Sequence, residues 1–188
     1  MPFWRKLFRD EALVALAQAR YTEIVRQSRS PTFYRAMGVP DSLDGRFEML
    51  CLHAFLVFRK LKGGGEGAKK LSQAIYDEMF QDLDAGLREL GAADIGLGRR
   101  VKAMTEGLNG RILAYERGLA AGHQELRDAV RRNVFGTVTA APEDVEAMTC
   151  YLESGERDLE RLGWERLMDG LIMFPDPAQH VANLDRQH

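Results

Sequence analysis

"FYRAMGVPDSLDGRFEMLCLHAFLVF", residues 33–58, decides the fold class. Its first third is a corner: Gly38 and Pro40 both interrupt a helix, and the acidic Asp41 and Asp44 suit the positive end of the helix that follows. From there Phe47, Leu50, Cys51, Ala54, Phe55, Phe58 and Leu61 recur at helical spacing. Met49, Leu52, Leu56 and Val57 fill the remaining faces. A helix that is apolar all round is one surrounded by other helices. The stretch therefore predicts a buried central helix over about 44–62, entered through a tight corner.

The same period extends in both directions. Upstream, Ser30-Pro31 reads as the cap and first position of a short helix that Gly38 closes. Before it, Asp10 can cap a helix with Leu13, Ala17, Tyr21 and Ile24 on one stripe. Downstream, "GGGEG" at 63–67 is a break, and Leu71, Ile75, Met79, Leu83 and Leu87 mark a helix stopped at Gly91. "GAADIGLGRR" (91–100) reads as a glycine-punctuated loop. Val101, Met104, Leu108, Ile112, Tyr115 and Leu119 then keep helical spacing to about Gly122. Leu126, Val130 and Val134 mark a helix ending at Gly136, and Pro142 starts one carrying Val145, Met148 and Leu152. A last segment around 164–173 runs into "FPDP". No segment alternates with a period of two. The expectation is an all-α chain with a single compact domain of roughly seven helices: an amphipathic segment over 1–10, a helical domain over 11–177 and a polar tail over 178–188.

Composition narrows the class. The 188 residues suit one core, with 45% hydrophobic and 29% charged residues. The central apolar run, Met49 to Phe58, is broken by His53 and falls short of the ~20 residues of a membrane span. "MPFWRKLFRD" has neither the long apolar core nor the small-residue site of a secretory signal. Cys51 and Cys150 are too few for a metal cluster. A cytoplasmic setting is expected. Charge is uneven: residues 1–70 carry +6 and residues 71–188 carry −8, which points to an anionic surface met by one end.

The residues carry no catalytic constellation. The four histidines have no metal-ligand spacing, "GLGRR" and "GGGEG" lack the context of a phosphate loop, and no serine sits in a nucleophile elbow. No catalytic residue, metal or cofactor is expected, and the chain reads as a non-enzyme. His53 reads as a core histidine bonded to a neighbouring carboxylate or carbonyl; the sharper alternatives are a recognition residue, or a haem ligand with Cys51 close by. Arg46, at the first turn of a buried helix, calls for an acid among Asp41, Asp82 and Asp84, the last two first. Asp84 and Arg88 are spaced for an i, i+4 pair. The first ten residues, if helical, set Phe3, Trp4, Leu7 and Phe8 against Arg5, Lys6 and Arg9, the composition of an interfacial membrane contact.

The segment "YTEIVRQSRSPTFYRAMGVPDSLDGRFEMLCLHAFLVFRKL" resembles the signature region of the ubiquinol–cytochrome c chaperone family. The likeness runs through Tyr21, Ile24, Val25, Phe33, Tyr34, Gly38, Val39, Pro40, Asp41, Gly45, Arg46, Phe47, Leu50 and His53. "DEMFQDLDAGLRELGAADIGLGRRVKAM" resembles its second block, through Met79, Asp82, Asp84, Leu87, Arg88, Gly91, Asp94, Gly96, Val101, Lys102 and Met104. One departure is Leu108-Asn109 before Gly110-Arg111, where an aromatic pair is usual. The resemblance covers about residues 20–135 and looks like a bacterial member. It implies an assembly chaperone of the cytochrome bc1 complex that attends newly made cytochrome b, with no DNA partner, and with a second assembly factor or the ribosome as further partners.

On this reading the client-facing residues come from Phe33, Tyr34, Gly38, Val39, Pro40, Asp41, Arg46, His53, Met79, Asp82 and Arg88. The protein is expected peripherally at the inner membrane, with methionine and aromatic side chains offering the client an adaptable surface. The competing classes are a ribosome- or RNA-associated protein, through the basic first third, and a carrier of a small apolar ligand or lipid.

Overall fold

The computed structural model describes the backbone of residues 3–89, 94–169 and 172–184, and the side chains of 11–89, 99, 101–169 and 172–181. Among the described residues there are nine helices and no strand: α1 (Phe3–Ser28), α2 (Pro31–Ala36), α3 (Leu43–Lys62), α4 (Glu66–Glu89), α5 (Asp94–Ala121), α6 (His123–Val134), α7 (Pro142–Arg161), α8 (Arg166–Asp169) and α9 (Ala178–Leu184). Three of them, α2, α8 and α9, are a turn or two long; α1 to α7 answer to the seven helices expected from the period.

Helix α3 is the centre. It packs against α1, α4, α5, α6 and α7, and all of Glu48 to Val57 is buried. Each large apolar side chain fully withdrawn from water contributes about 1.5–3 kcal/mol, so a helix dry on every face through its middle holds its neighbours to one core. Ser42 caps it, its Oγ accepting from the Gly45 N–H at 3.1 Å. The surrounding helices are amphipathic: α4 buries Leu71, Ile75, Met79 and Leu87, and α6 buries Leu126, Ala129, Val130 and Val134.

Three expectations need correction. Helix α1 begins at Phe3, so Asp10 does not start it; the stripe below Asp10 simply continues an earlier helix. Helix α4 starts at Glu66, inside the glycine run. Most of the expected loop over 91–100 is the first turns of α5, which starts at Asp94. Glycine weakens a helix by only about 1 kcal/mol each, and twenty further residues of good helical pattern outweigh that.

The segment after α7 is held by a buried clasp. Arg20 Nε donates to the Leu167 carbonyl at 2.8 Å, Glu23 accepts from the Ile172 N–H at 3.0 Å, and the two side chains pair at 3.2 Å. A chain without a repeating pattern of its own is thereby fixed on α1. Among the described residues of the expected 164–173 segment, Arg166–Asp169 is helical, and the polar tail opens with α9.

Candidate functional site

The corner between α2 and α3 gathers most of the singled-out residues. Pro31 opens α2 and Phe33 turns into the core, fully buried. The Val39 N–H reaches back to the Phe33 carbonyl at 3.1 Å. That loop is closed by Gly38 at φ +65°, the left-handed conformation expected of it. The chain then doubles so tightly that the Pro40 carbonyl occupies the place of a side chain on Gly45. Glycine at 38 and at 45 is therefore what allows α3 to leave the corner at this angle.

On the outside of the corner lies an open cleft of about 370 Å³ lined by Arg29, Pro31, Tyr34, Arg35, Asp41 and Arg46. Arg46 Nε donates to Asp41 Oδ1 at 2.7 Å. Of the three acids open to Arg46 the structure selects Asp41 rather than the first candidates Asp82 and Asp84, and the pair is a surface one, 46% and 58% exposed, not a buried one. Arg46 lies on the wet side of the first turn of α3, where a carboxylate five residues back is closer than any on α4. Its guanidinium holds the Asp41 carboxyl below the usual range. Tyr34 donates to the Ser28 carbonyl at 2.7 Å, and burial pushes its phenol up.

Beneath the corner a neutral chain of hydrogen bonds crosses the core. His53 Nδ1 faces the Met49 carbonyl at 2.7 Å, so it carries the proton. Nε2 therefore accepts from the Tyr151 hydroxyl at 2.7 Å. Gln27 donates to that hydroxyl at 3.0 Å and to the Pro175 carbonyl at 3.1 Å. Burial pushes the imidazole down to about 4. Of the readings open for His53, the geometry is that of a core histidine bonded to a carbonyl, with both ring nitrogens engaged. Phe33 and Phe174 meet its ring edge-on, at 5.4 and 5.1 Å.

The remaining singled-out residues sit elsewhere. Asp82 accepts from the Tyr21 hydroxyl at 2.7 Å, and Met79 is buried, both on the α1–α4 seam. Arg88 pairs with Asp84 at 2.9 Å, as the spacing indicated. Phe3, Trp4, Arg5, Lys6, Leu7, Phe8 and Arg9 belong to the first turns of α1, and their side chains lie outside the described residues.

Among the described residues methionine contributes little to the surface expected of methionine and aromatic side chains. Met37, Met49, Met79 and Met148 are fully buried, and Met173 is the methionine among the exposed large hydrophobic residues. The flexibility of methionine serves the core here. An open groove of about 230 Å³ between α3, α4 and α5, lined by Phe58, Tyr76, Ile112, Ser72, Gln73 and Asn109, carries the aromatic surface instead.

Sequence reasoning missed the cleft arginines 29 and 35, although they flank "SPTFY" in the chain. It also missed the buried pair of Glu48 with Arg111, whose Nε donates to Glu48 Oε2 at 2.5 Å, because 63 residues separate the two. Among the described residues no group of three His, Cys, Asp or Glu side chains is placed to hold a metal ion, and no described helix is long and apolar enough to cross a membrane.

Comparison with known proteins places this arrangement. The chain is 24% identical over 148 residues to the ubiquinol–cytochrome c reductase complex assembly factor 1 of Xenopus laevis, covering 79% of this chain and 74% of the frog protein. The mouse protein of that name is 23% identical over the same share of this chain, which spans half of its length. The crystal structure of the Cbp3 homolog from Brucella abortus superimposes with a TM-score of 0.82 at 34% identity, covering 94% of this chain and 99% of that one. The family model described as ubiquinol–cytochrome c chaperone matches residues 35–174, from the last turn of α2 to the segment before α9. The chain belongs to the ubiquinol–cytochrome c chaperone family.

Proposed function

We propose that this chain is a non-catalytic chaperone that holds newly made cytochrome b at the surface of the inner membrane while the ubiquinol–cytochrome c reductase complex is assembled. Membership of a family of bc1 assembly chaperones supports the general role. The observation that carries the finer reading is the corner. Within the family signature, Phe33, Val39 and His53 are accounted for by burial, and Gly38 and Gly45 by backbone geometry. Asp41 and Arg46 are exposed and hold nothing else in place. Signature residues that the fold does not need are the ones left for a partner.

Tagged full-length chain, isolated with detergent-solubilised membranes, tests the client. Enrichment of cytochrome b that falls in Asp41→Ala and Arg46→Ala supports the reading. Capture of other subunits of the complex without cytochrome b overturns the client and leaves the assembly role standing. Attachment to the membrane is assigned to Phe3, Trp4, Leu7 and Phe8 with Arg5, Lys6 and Arg9, each basic group near an anionic surface contributing about 1 kcal/mol. Co-sedimentation with anionic vesicles should drop when residues 1–10 are removed. Equal sedimentation of the two forms means that this segment is not the anchor.

A further inference from the structure

We propose that the cleft at the α2–α3 corner is a binding site for a phosphate group, either free or carried on a lipid headgroup. Three arginines line it from three elements: Arg29 just past the end of α1, Arg35 in the last turn of α2 and Arg46 in the first turn of α3. One carboxylate, Asp41, lines the same cleft, and it is taken by Arg46. Arg29 and Arg35 form no ion pair or side-chain hydrogen bond among the described residues, and both are exposed. Asp144 approaches the other side of the corner, beside Gly38, and is not part of the lining.

The cleft thus gathers three arginines against one carboxylate beside Tyr34, whose own hydroxyl donates to the Ser28 carbonyl. Like charges brought together in this way repel, and the neighbouring backbone makes them do so: Pro31, Gly38 and Pro40 fix where each arginine starts. A carboxylate would be satisfied by a single planar guanidinium fork. A tetrahedral oxyanion presents separate edges to two or three forks and carries more charge, so it suits arginines that three different elements bring to one cleft. The proposal does not depend on the client reading, since Arg29 and Arg35 have no role in it.

Isothermal titration of the full chain with inorganic phosphate, at pH 7 and low chloride, reads the site. Saturable binding is expected, weakened at least about tenfold in R29Q and in R35Q, the effect of losing one charged donor. D41N should bind more tightly, because it removes the competing anion. R131Q, an exposed arginine on α6 paired with Asp128, should bind as the parent chain does. Phosphatidylcholine vesicles with and without phosphatidic acid separate the sources. Retention on phosphatidic acid that inorganic phosphate displaces, and that R35Q weakens, assigns a headgroup; retention indifferent to both, with the titration intact, assigns a free phosphate. Absence of saturable phosphate binding, or equal binding in R29Q, R35Q and the parent chain with circular dichroism unchanged, overturns the proposal.

Discussion

Glu48 and His53 lie five residues apart on α3, both inside the core, and burial treats them differently. Glu48 keeps a cation: its carboxylate meets the Arg111 guanidinium, which also caps the Phe47 ring at 5.3 Å and donates to the Gly107 carbonyl at 2.9 Å. Burial still pushes the Glu48 carboxyl up, against the pull of Arg111. His53 has no charged partner and stays neutral, its proton held by a carbonyl. The side chains differ in access as well. Arg111 is 22% exposed, so its charge is partly hydrated, whereas His53 is wholly enclosed. A buried charge survives where one partner can stay half in water; where none can, the group gives up its charge.

The sharpest way to break this comparison is Arg111→Met, which strands the Glu48 carboxylate. A loss of about 3–5 kcal/mol in urea denaturation at pH 8 is expected. The loss should shrink toward pH 5, since an acid whose folded-state pKa is raised gains stability from being protonated. Glu48→Met with Arg111→Met should recover most of it. A single-variant loss under about 1 kcal/mol would mean that the pair does not support α3.

His53 runs in the opposite sense. Its folded-state pKa is near 4, against an ordinary 6.5, so the unfolded chain takes up the proton first as pH falls. Stability present above about pH 6.5 should drain away between there and pH 4, by at most about 1.4 kcal/mol per pH unit. His180 also titrates low and packs on Tyr151 at 5.6 Å, so the difference between the parent chain and His53→Gln isolates the His53 part. A slope identical in the two would refute the assignment.

Tyr151→Phe leaves the ring in place and removes the hydroxyl that joins His53 to Gln27. A cost of about 1–3 kcal/mol is expected from the unpaired imidazole nitrogen, read from the denaturation midpoint at constant m-value. Next in size is Gly38→Val, about 1–2 kcal/mol for a branched residue forced to positive φ, with the Asp144 side chain also in its way. Calorimetric melting that is unmoved in this variant would show that the corner can relax. Last comes Arg46→Ala. Its partner Asp41 is on the surface, and no resolvable change in midpoint is expected, in contrast to what a buried ion pair at this position would give.

How much of this was legible in the chain follows from range. Whatever depends on neighbours within a turn or two could be read: the helical period, the fully apolar α3, the Ser30-Pro31 start of α2, the left-handed Gly38 and the Asp84–Arg88 pair. Each is set by local sterics or by residues stacked on one helix face. The family signature is legible too, because it is a pattern along the sequence. Partners across helices were not. Asp82, one of three acids open to Arg46 by sequence, belongs to Tyr21, 61 residues away, and His53 finds Tyr151 at a separation of 98. The cleft is likewise a meeting of three elements. Which helix faces which, and at what rotation, is fixed by how the whole set of side chains fills the core without gaps. That sum has no counterpart in any short stretch of sequence, so the sequence by itself determined the helices and the corner between α2 and α3, and tertiary packing alone decided which polar groups meet.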